Sequence, residues 1–133
     1  MGDLSEGTTE MKYMLLAYSN STDWDEQTVT AEDIQAICDF YENLESELTS
    51  SGEWVSSEGL ADPSHTKSVR KSDGRAIATD GPYIEAKETL VSFSIVDCES
   101  YERAVEIASR VVEFTGDACE IRPVMEMDFG SET

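Results

Sequence analysis

The chain has 133 residues, of which 39% are hydrophobic, 29 are acidic and nine are basic, so its formal net charge is -20. A charge of this sign and size repels nucleic acid phosphates and anionic lipid surfaces, which argues against direct binding to either. No stretch contains the ~18 to 20 apolar residues of a membrane span, and the N-terminus lacks the pattern of a secretory signal. We therefore expect a cytoplasmic protein with one hydrophobic core, as is typical of this length.

The acidic surplus has two interpretations. The first is adaptation to a salt-rich cytoplasm, in which carboxylates keep a protein surface hydrated. The second is that the chain is an acidic protein from a cytoplasm of ordinary salt concentration. Net charge acts on solubility and not on the fold, so the sequence leaves both interpretations open.

The two ends of the chain lack a periodic apolar pattern. We expect residues 1–10 to form a flexible N-terminal extension and residues 128–133 a flexible C-terminal tail, which leaves 11–127 as one domain. Within it, Met11 to Tyr18 is rich in apolar and aromatic residues and precedes the turn-forming Ser19-Asn20-Ser21. This pattern predicts a first, well-buried strand.

A first helix is predicted from Thr30 to Ser51. Thr30 and Asp33 have the spacing of a capping box, with Asp in place of Glu, and Gly52 supplies the stop. One apolar stripe runs along the helix at spacings of three and four: Ile34, Ile37, Cys38, Tyr41, Leu44 and Leu48. The acidic residues of the other face are interpreted as solvated: Glu42, Glu45 and Glu47.

The middle of the chain predicts four strands. Three lie at about 53–60, 66–71 and 75–79, and the last two flank Ser72-Asp73-Gly74, a good hairpin turn. Leu90 to Val96 alternates apolar and small polar residues and forms the fourth.

A second helix and a last strand complete the pattern. Ser100 is predicted to cap the helix, and Thr115-Gly116 ends it. The apolar stripe of the helix consists of Tyr101, Ala104, Val105, Ala108, Val111 and Val112. The last strand alternates polar residues with Cys119, Ile121, Pro123, Met125 and Met127. Pro123 places this strand at a sheet edge or a bulge.

The order of these elements predicts an α+β fold of the ferredoxin-like split βαβ type, with both helices on one face of an antiparallel sheet. Two helices cannot cover the second face of such a sheet. Two sheets packed across a two-fold axis would cover it, so we expect a homodimer.

The sequence predicts no metal and no cofactor. Cys38, Cys98 and Cys119 have no C-x-x-C spacing and no neighbouring His, so we interpret them as reduced thiols that pack as small hydrophobic side chains. No Ser-His-Asp order and no glycine-rich phosphate loop is recognisable.

The run Asp80-Gly81-Pro82-Tyr83-Ile84-Glu85-Ala86-Lys87-Glu88 resembles the signature of DGPF domains in the YCII-related family, with Tyr83 in the place of Phe. The resemblance extends over roughly residues 11 to 127. It includes Lys12 to Leu16 at the start, Glu58-Gly59-Leu60 before the hairpin and Glu120 to Glu126 at the end.

Membership of that family implies a ferredoxin-like domain that pairs through its sheet into a dimeric α+β barrel with a cleft in each half. Family members have been regarded as small enzymes, and related genes often lie near extracytoplasmic-function sigma factors. Two glycines usually follow the motif, but Leu90 to Phe93 contains none. The His-Asp pair of other YCII-related proteins is not carried over, because the single histidine, His65, does not align with it.

The candidate catalytic residues are Asp80, Glu85, Lys87 and Glu88. If they converge on a cleft, Lys87 would hold a small anionic metabolite and a partly buried Glu would act as general base. The alternative is an ion-pair network that pins the loop, with Asp80 as the backbone cap of a turn.

Tyr83 and Arg122 are candidate substrate-binding residues. Tyr83 would orient a ligand through its hydroxyl or anchor the loop in the core, and the family's Phe favours the anchor. Arg122 would clamp a carboxylate or pair with one of the many acids.

Two functions follow from this pattern. The first is a small acid-base enzyme or small-molecule binder with its pocket beside the Asp80 motif. The second is an accessory protein-interaction module, linked to transcriptional regulation and without catalysis.

Overall fold

A computed structural model of the chain describes residues 11–20, 30–82 and 88–125. The predicted flexible ends, 1–10 and 128–133, lie outside these residues. In chain order the elements are β1 Met11–Asn20, α1 Ala31–Ser51, β2 Trp54–Gly59, β3 Lys67–Ser72, β4 Arg75–Asp80, β5 Glu88–Cys98, α2 Tyr101–Thr115 and β6 Cys119–Pro123. Within these ranges, neither helix is long and apolar enough to cross a membrane.

The main sheet has the strand order β2-β5-β1-β6, and all neighbouring strands are antiparallel. With β3 and β4 set aside as a separate hairpin, this is the order of a ferredoxin-like fold. The predicted α+β ferredoxin-like arrangement is therefore confirmed for the described residues. β6 is an edge strand, as Pro123 predicted, but it ends at Pro123, and Met125 beyond it is exposed. Met127, predicted to continue this strand, lies outside the described residues.

Both helices begin and end where their capping residues predicted. The Thr30 hydroxyl accepts the Asp33 N–H and the Asp33 carboxylate accepts the Thr30 N–H, each at 3.0 Å, which completes the capping box. Ser100 caps α2 by accepting the Arg103 N–H. Gly52 and Gly116 end the helices in the left-handed conformation, with φ of 83° and 79°.

The hydrophobic core lies between the helices and one face of the sheet. Its most deeply buried members are Leu48, Val96, Cys98 and Ile107. The N-terminal part of the α1 stripe does not join this core, since Ile34 is 51% exposed. Cys38 lies on the same part of α1 and is exposed, so the prediction that it packs as a small hydrophobic side chain is wrong; that of Cys98 is confirmed.

Glu53 links three elements of the fold. Its N–H donates to Leu48 O at the end of α1, and its carbonyl accepts the Asp97 N–H of β5. Its carboxylate accepts two hydrogen bonds from the Arg103 guanidinium of α2, at 2.8 and 2.9 Å. These bonds lower the pKa of Glu53 below its ordinary value of 4.5, against the opposing effect of burial. The pair is partly buried, with side-chain exposures of 28% for Arg103 and 15% for Glu53.

We predict that Glu53→Gln lowers the free energy of unfolding by about 1–2 kcal/mol at pH 7, because two charge-assisted bonds are weakened. The depressed pKa means that the ionised Glu53 stabilises the fold above pH 4.5, and that this contribution is lost as the pH falls through the lower folded value. Urea unfolding of both proteins should therefore show a difference that shrinks below pH 4.5.

Glu47→Gln is the matched control, because Glu47 pairs with Arg110 of α2 at 2.7 Å but is more exposed. It should change stability little. Equal losses in the two variants would contradict the role given to Glu53.

Candidate functional site

A cleft of about 800 Å³ opens at one end of the domain. It lies between the N-terminal half of α1, the end of α2, the segment after β2 and the neighbouring ends of β1 and β5. A second depression, of about 390 Å³, is lined only by α1 residues: Glu42, Glu45, Ser46, Thr49 and Ser50. Because five separate parts of the chain enclose the larger cleft, it is the candidate functional site.

The cleft has apolar walls with a few polar groups. The larger apolar and aromatic residues that line it are Tyr18, Ile37, Tyr41, Leu60, Val91 and Phe114. Ser19, Thr89 and Ser92 contribute polar side chains from the sheet. A volume and lining of this kind are typical of small-molecule pockets.

An irregularity in the sheet shapes the floor of the cleft. The pairing of β1 with β5 shifts between Ala17 and Tyr18, where Ala17 faces Ser92 and Tyr18 faces Leu90. The shift leaves Val91 as the extra residue on β5, and Val91 lines the cleft. Bulges of this kind re-aim side chains and are frequent beside binding sites.

Two of the three cleft carboxylates already accept hydrogen bonds from the backbone. Asp33 accepts the Thr30 N–H, and Asp62 accepts the Ser64 N–H at 3.0 Å. Hydrogen bonds from the side chain and the backbone of Ser64 lower the pKa of Asp62, which keeps it ionised at neutral pH. These two acids therefore cap local structure, and Asp62 does not act as a proton donor at neutral pH.

Tyr41 contributes a hydroxyl that remains protonated. Burial raises the pKa of Tyr41, with smaller contributions from Cys119 and Asp117. A protonated phenol can donate one hydrogen bond to a ligand. The described lining thus offers apolar contact and hydrogen bonding.

Asp80, the first candidate catalytic residue, lies at the end of β4. Its carboxylate is 88% exposed and pairs with Lys67 Nζ of β3 at 2.6 Å. The contact shown for this carboxylate is thus an ion pair across the hairpin. Gly81 follows with φ of 97°, its N–H donates to Thr66 O, and its carbonyl accepts the Ser68 hydroxyl at 2.7 Å.

The remaining predicted residues fall into two groups. Tyr83, Glu85 and Lys87 lie outside the described residues. Glu88 faces Asn20 and Arg122 faces Met14 across β1, so both lie on the sheet face opposite the helices. Their partners on β1, Met14 and Asn20, are six positions apart, which is about 20 Å along the strand. Among the described candidates, then, Asp80, Glu88 and Arg122 form no cluster, and none lines the cleft.

The cleft residues were missed as a site by sequence reasoning. Ile37 and Tyr41 were assigned to the apolar stripe of α1, and Phe114 lies outside the stripe predicted for α2. The one signal for them is that apolar positions on α1 continue further toward its N-terminus than the core extends. A bulge at Val91 leaves no recognisable mark in a single sequence.

Strand order, helix placement and an end cleft together define a small ferredoxin-like α+β domain with a ligand-sized pocket. A family model for the YCII-related domain matches residues 11–128, and the chain therefore belongs to the YCII-related family. This confirms the resemblance read from the sequence. The chain is also similar to an uncharacterised protein of Rhizobium meliloti (strain 1021), with 39% identity over 59 residues, which is 42% of this chain and 47% of that relative. The chain thus matches about half of that relative's length.

We predict effects of different size on stability for two neighbouring motif substitutions. Gly81→Ala should destabilise the protein by about 1–2 kcal/mol, because a φ of 97° is unfavourable for a residue with a Cβ. Apart from Gly81 and its two chain neighbours, no atom of the described residues lies within 4 Å of the added Cβ, so the cost is one of backbone conformation. Asp80→Ala should change stability little, since its ion pair is exposed.

Denaturant unfolding, with hydrogen exchange of residues 67–80 to localise the effect, measures both variants. A large loss in Asp80→Ala would show that the carboxylate supports the turn, and a neutral Gly81→Ala would contradict the strained conformation.

Proposed function

We propose that this YCII-related protein binds a small, largely apolar metabolite in the cleft between α1, α2 and the ends of β1 and β5. The observation that carries the proposal is the cleft itself, at about 800 Å³ and with walls from five parts of the chain. Thr89, directly after the last residue of the Asp80 motif, lines it. The motif therefore leads straight into the wall of the pocket.

The described lining disfavours an anionic ligand. It contains Asp33, Asp62 and Asp117, and within the described ranges it includes no Lys, Arg or His. An anionic metabolite would instead depend on Lys87. The polar groups of the lining suit a ligand with one or two hydrogen-bonding groups on an apolar body.

Binding is better supported than catalysis. Asp33 accepts the Thr30 N–H and Asp62 accepts the Ser64 N–H, and Asp62 remains ionised. An acid-base reaction in this cleft would require Glu85 or Lys87 of the motif to reach the bound ligand. Such an enzyme is an extension of the proposal, with proton abstraction next to a carbonyl as its reaction class.

We also propose that two copies pair through the sheet face opposite the helices, forming the dimeric α+β barrel. By register and alternation this face carries Met14, Leu16, Leu90, Phe93 and Ile95, all only half-buried in one copy. An apolar face of this extent is unfavourable in water. Three free cysteines support placing the protein in the reducing cytoplasm.

Ligand binding in the cleft is tested by a substitution that fills the cleft with a larger side chain. Ile37→Trp introduces a large ring into the lining, whereas Ile34→Trp makes the same change on an exposed position of α1 outside the lining. We predict that wild type and Ile34→Trp are stabilised by members of a panel of aromatic lactones, amines and carboxylates in thermal shift measurements. Ile37→Trp should lose that stabilisation.

The panel also identifies ligand charge. Stabilisation by neutral members or by amines supports the lining argument, and stabilisation by carboxylates alone would assign the dominant role to Lys87. If no panel member stabilises the wild type, or if both tryptophan variants respond alike, the proposed cleft function is wrong.

Pairing through the sheet predicts a concentration-dependent dimer. Sedimentation velocity of the full chain across a dilution series should resolve dimer at micromolar concentration, because the apolar sheet face is removed from water on association. A monomer at every concentration would contradict this assembly.

A further inference from the structure

The β3–β4 hairpin is the part of the described fold with the most uncovered surface. It stands apart from the main sheet, and its extensive contacts are those between its own two strands. All of β4 is exposed, as is β3 apart from Ser68. Val69 is 66% and Ile77 46% exposed, and the register places them on opposite faces of the ribbon. A two-stranded ribbon gains little stability alone, so apolar side chains on both of its faces favour packing against another surface.

The hairpin also concentrates positive charge in an acidic chain. Four of the nine basic residues lie on it: Lys67, Arg70, Lys71 and Arg75. They outnumber its two acids, Asp73 and Asp80, whereas the whole chain carries -20. Lys67 pairs with Asp80, but Lys71 and Arg75 form no ion pair with any residue of the described ranges.

The ribbon is preorganised at both ends. Asp73 and Gly74 have φ of 53° and 77°, the signs required by the tight type I′ turn that suits strand twist. At the base, Gly81 N–H donates to Thr66 O and the Ser68 hydroxyl donates to Gly81 O. A surface held in shape before association loses less conformational freedom on binding.

We propose that this hairpin is an arm that docks on the acidic sheet edges of a second copy of the chain. A nucleic acid is disfavoured by the net charge of the protein, while a second copy supplies complementary carboxylates. Exposed Glu58 and Glu120 lie on the edge strands β2 and β6, on the face without helices. Asp97 Oδ1, on the same face, is buried and accepts no hydrogen bond within the described ranges.

Two-fold symmetry would form this contact twice in the dimer, because the arm of each copy would reach the other copy. The inference rests on the homodimer proposed above and adds to it the element that determines affinity and orientation. Val69 and Ile77 would supply apolar contact, and Lys71 and Arg75 would meet the carboxylates.

The experiment removes two positive charges from the arm and leaves its backbone pairing unchanged. Sedimentation velocity of the full chain compares wild type with Lys71→Gln/Arg75→Gln. The control is Ser46→Glu/Thr49→Glu on the exposed surface of α1, which makes the net charge more negative by the same two units. We expect the arm variant to raise the dimer dissociation constant at least about tenfold, and the control to change it less than about twofold.

A second pair of substitutions identifies the docking surface. Glu58→Gln/Glu120→Gln should weaken the wild-type dimer. In the arm variant the same two substitutions should weaken the dimer little further, since both pairs of substitutions remove the same interaction. Circular dichroism and urea unfolding establish that every variant is folded.

Three results would overturn the arm. If Lys71→Gln/Arg75→Gln leaves the dimer dissociation constant unchanged, the proposed role of the arm is wrong, but pairing through the sheet still stands. Equal weakening by the α1 control assigns the effect to general charge repulsion. A monomeric wild type overturns the homodimer and the arm together, and none of these results bears on ligand binding in the cleft.

Discussion

The fold depends on one constraint: two helices must bury the apolar residues of a four-stranded sheet while covering only one of its faces. Leu48 of α1, Val96 of β5 and Ile107 of α2 meet where this covering is complete, and they are almost fully buried. Toward the N-terminus of α1 the covering becomes incomplete, with Ile37 half-buried and Ile34 exposed. The cleft lies there. Among the described elements, no helix covers the opposite sheet face. The proposed cleft and the proposed dimer interface therefore both follow from incomplete covering of the sheet by the two helices.

Electrostatics in this chain is organised by the placement of its few cations. Arg103 and Arg110 of α2 reach across to Glu53 and Glu47, which fastens α2 to α1 and to the start of β2. Four other cations are gathered on the hairpin. In a protein of net charge -20, each ion pair relieves repulsion as well as forming a bond. The helices are thus held by internal pairs, whereas Lys71 and Arg75 of the hairpin form no ion pair with any residue of the described ranges.

The Asp80 motif joins these two regions. Asp80 and Gly81 close the base of the hairpin, and Thr89, just after Glu88, lines the cleft. A ligand in the cleft and a partner on the arm would therefore act on the two ends of one short segment. This arrangement explains how a motif can identify the family strongly while its described residues perform mainly structural tasks.

Local physical chemistry let the sequence alone determine the elements and their order. The Thr30–Asp33 capping box, Gly52, Ser100 and Gly116 act within a few residues of themselves, and Asp73-Gly74 specifies its turn in the same way. Pro123 marked an edge strand because it lacks an N–H to donate. By contrast, the exposure of Cys38, the cleft role of Ile37, Tyr41 and Phe114, and the separation of Glu88 from Arg122 depend on how distant elements pack. An apolar stripe shows which side of a helix avoids water, but only the tertiary structure decides how far along that side the sheet provides cover.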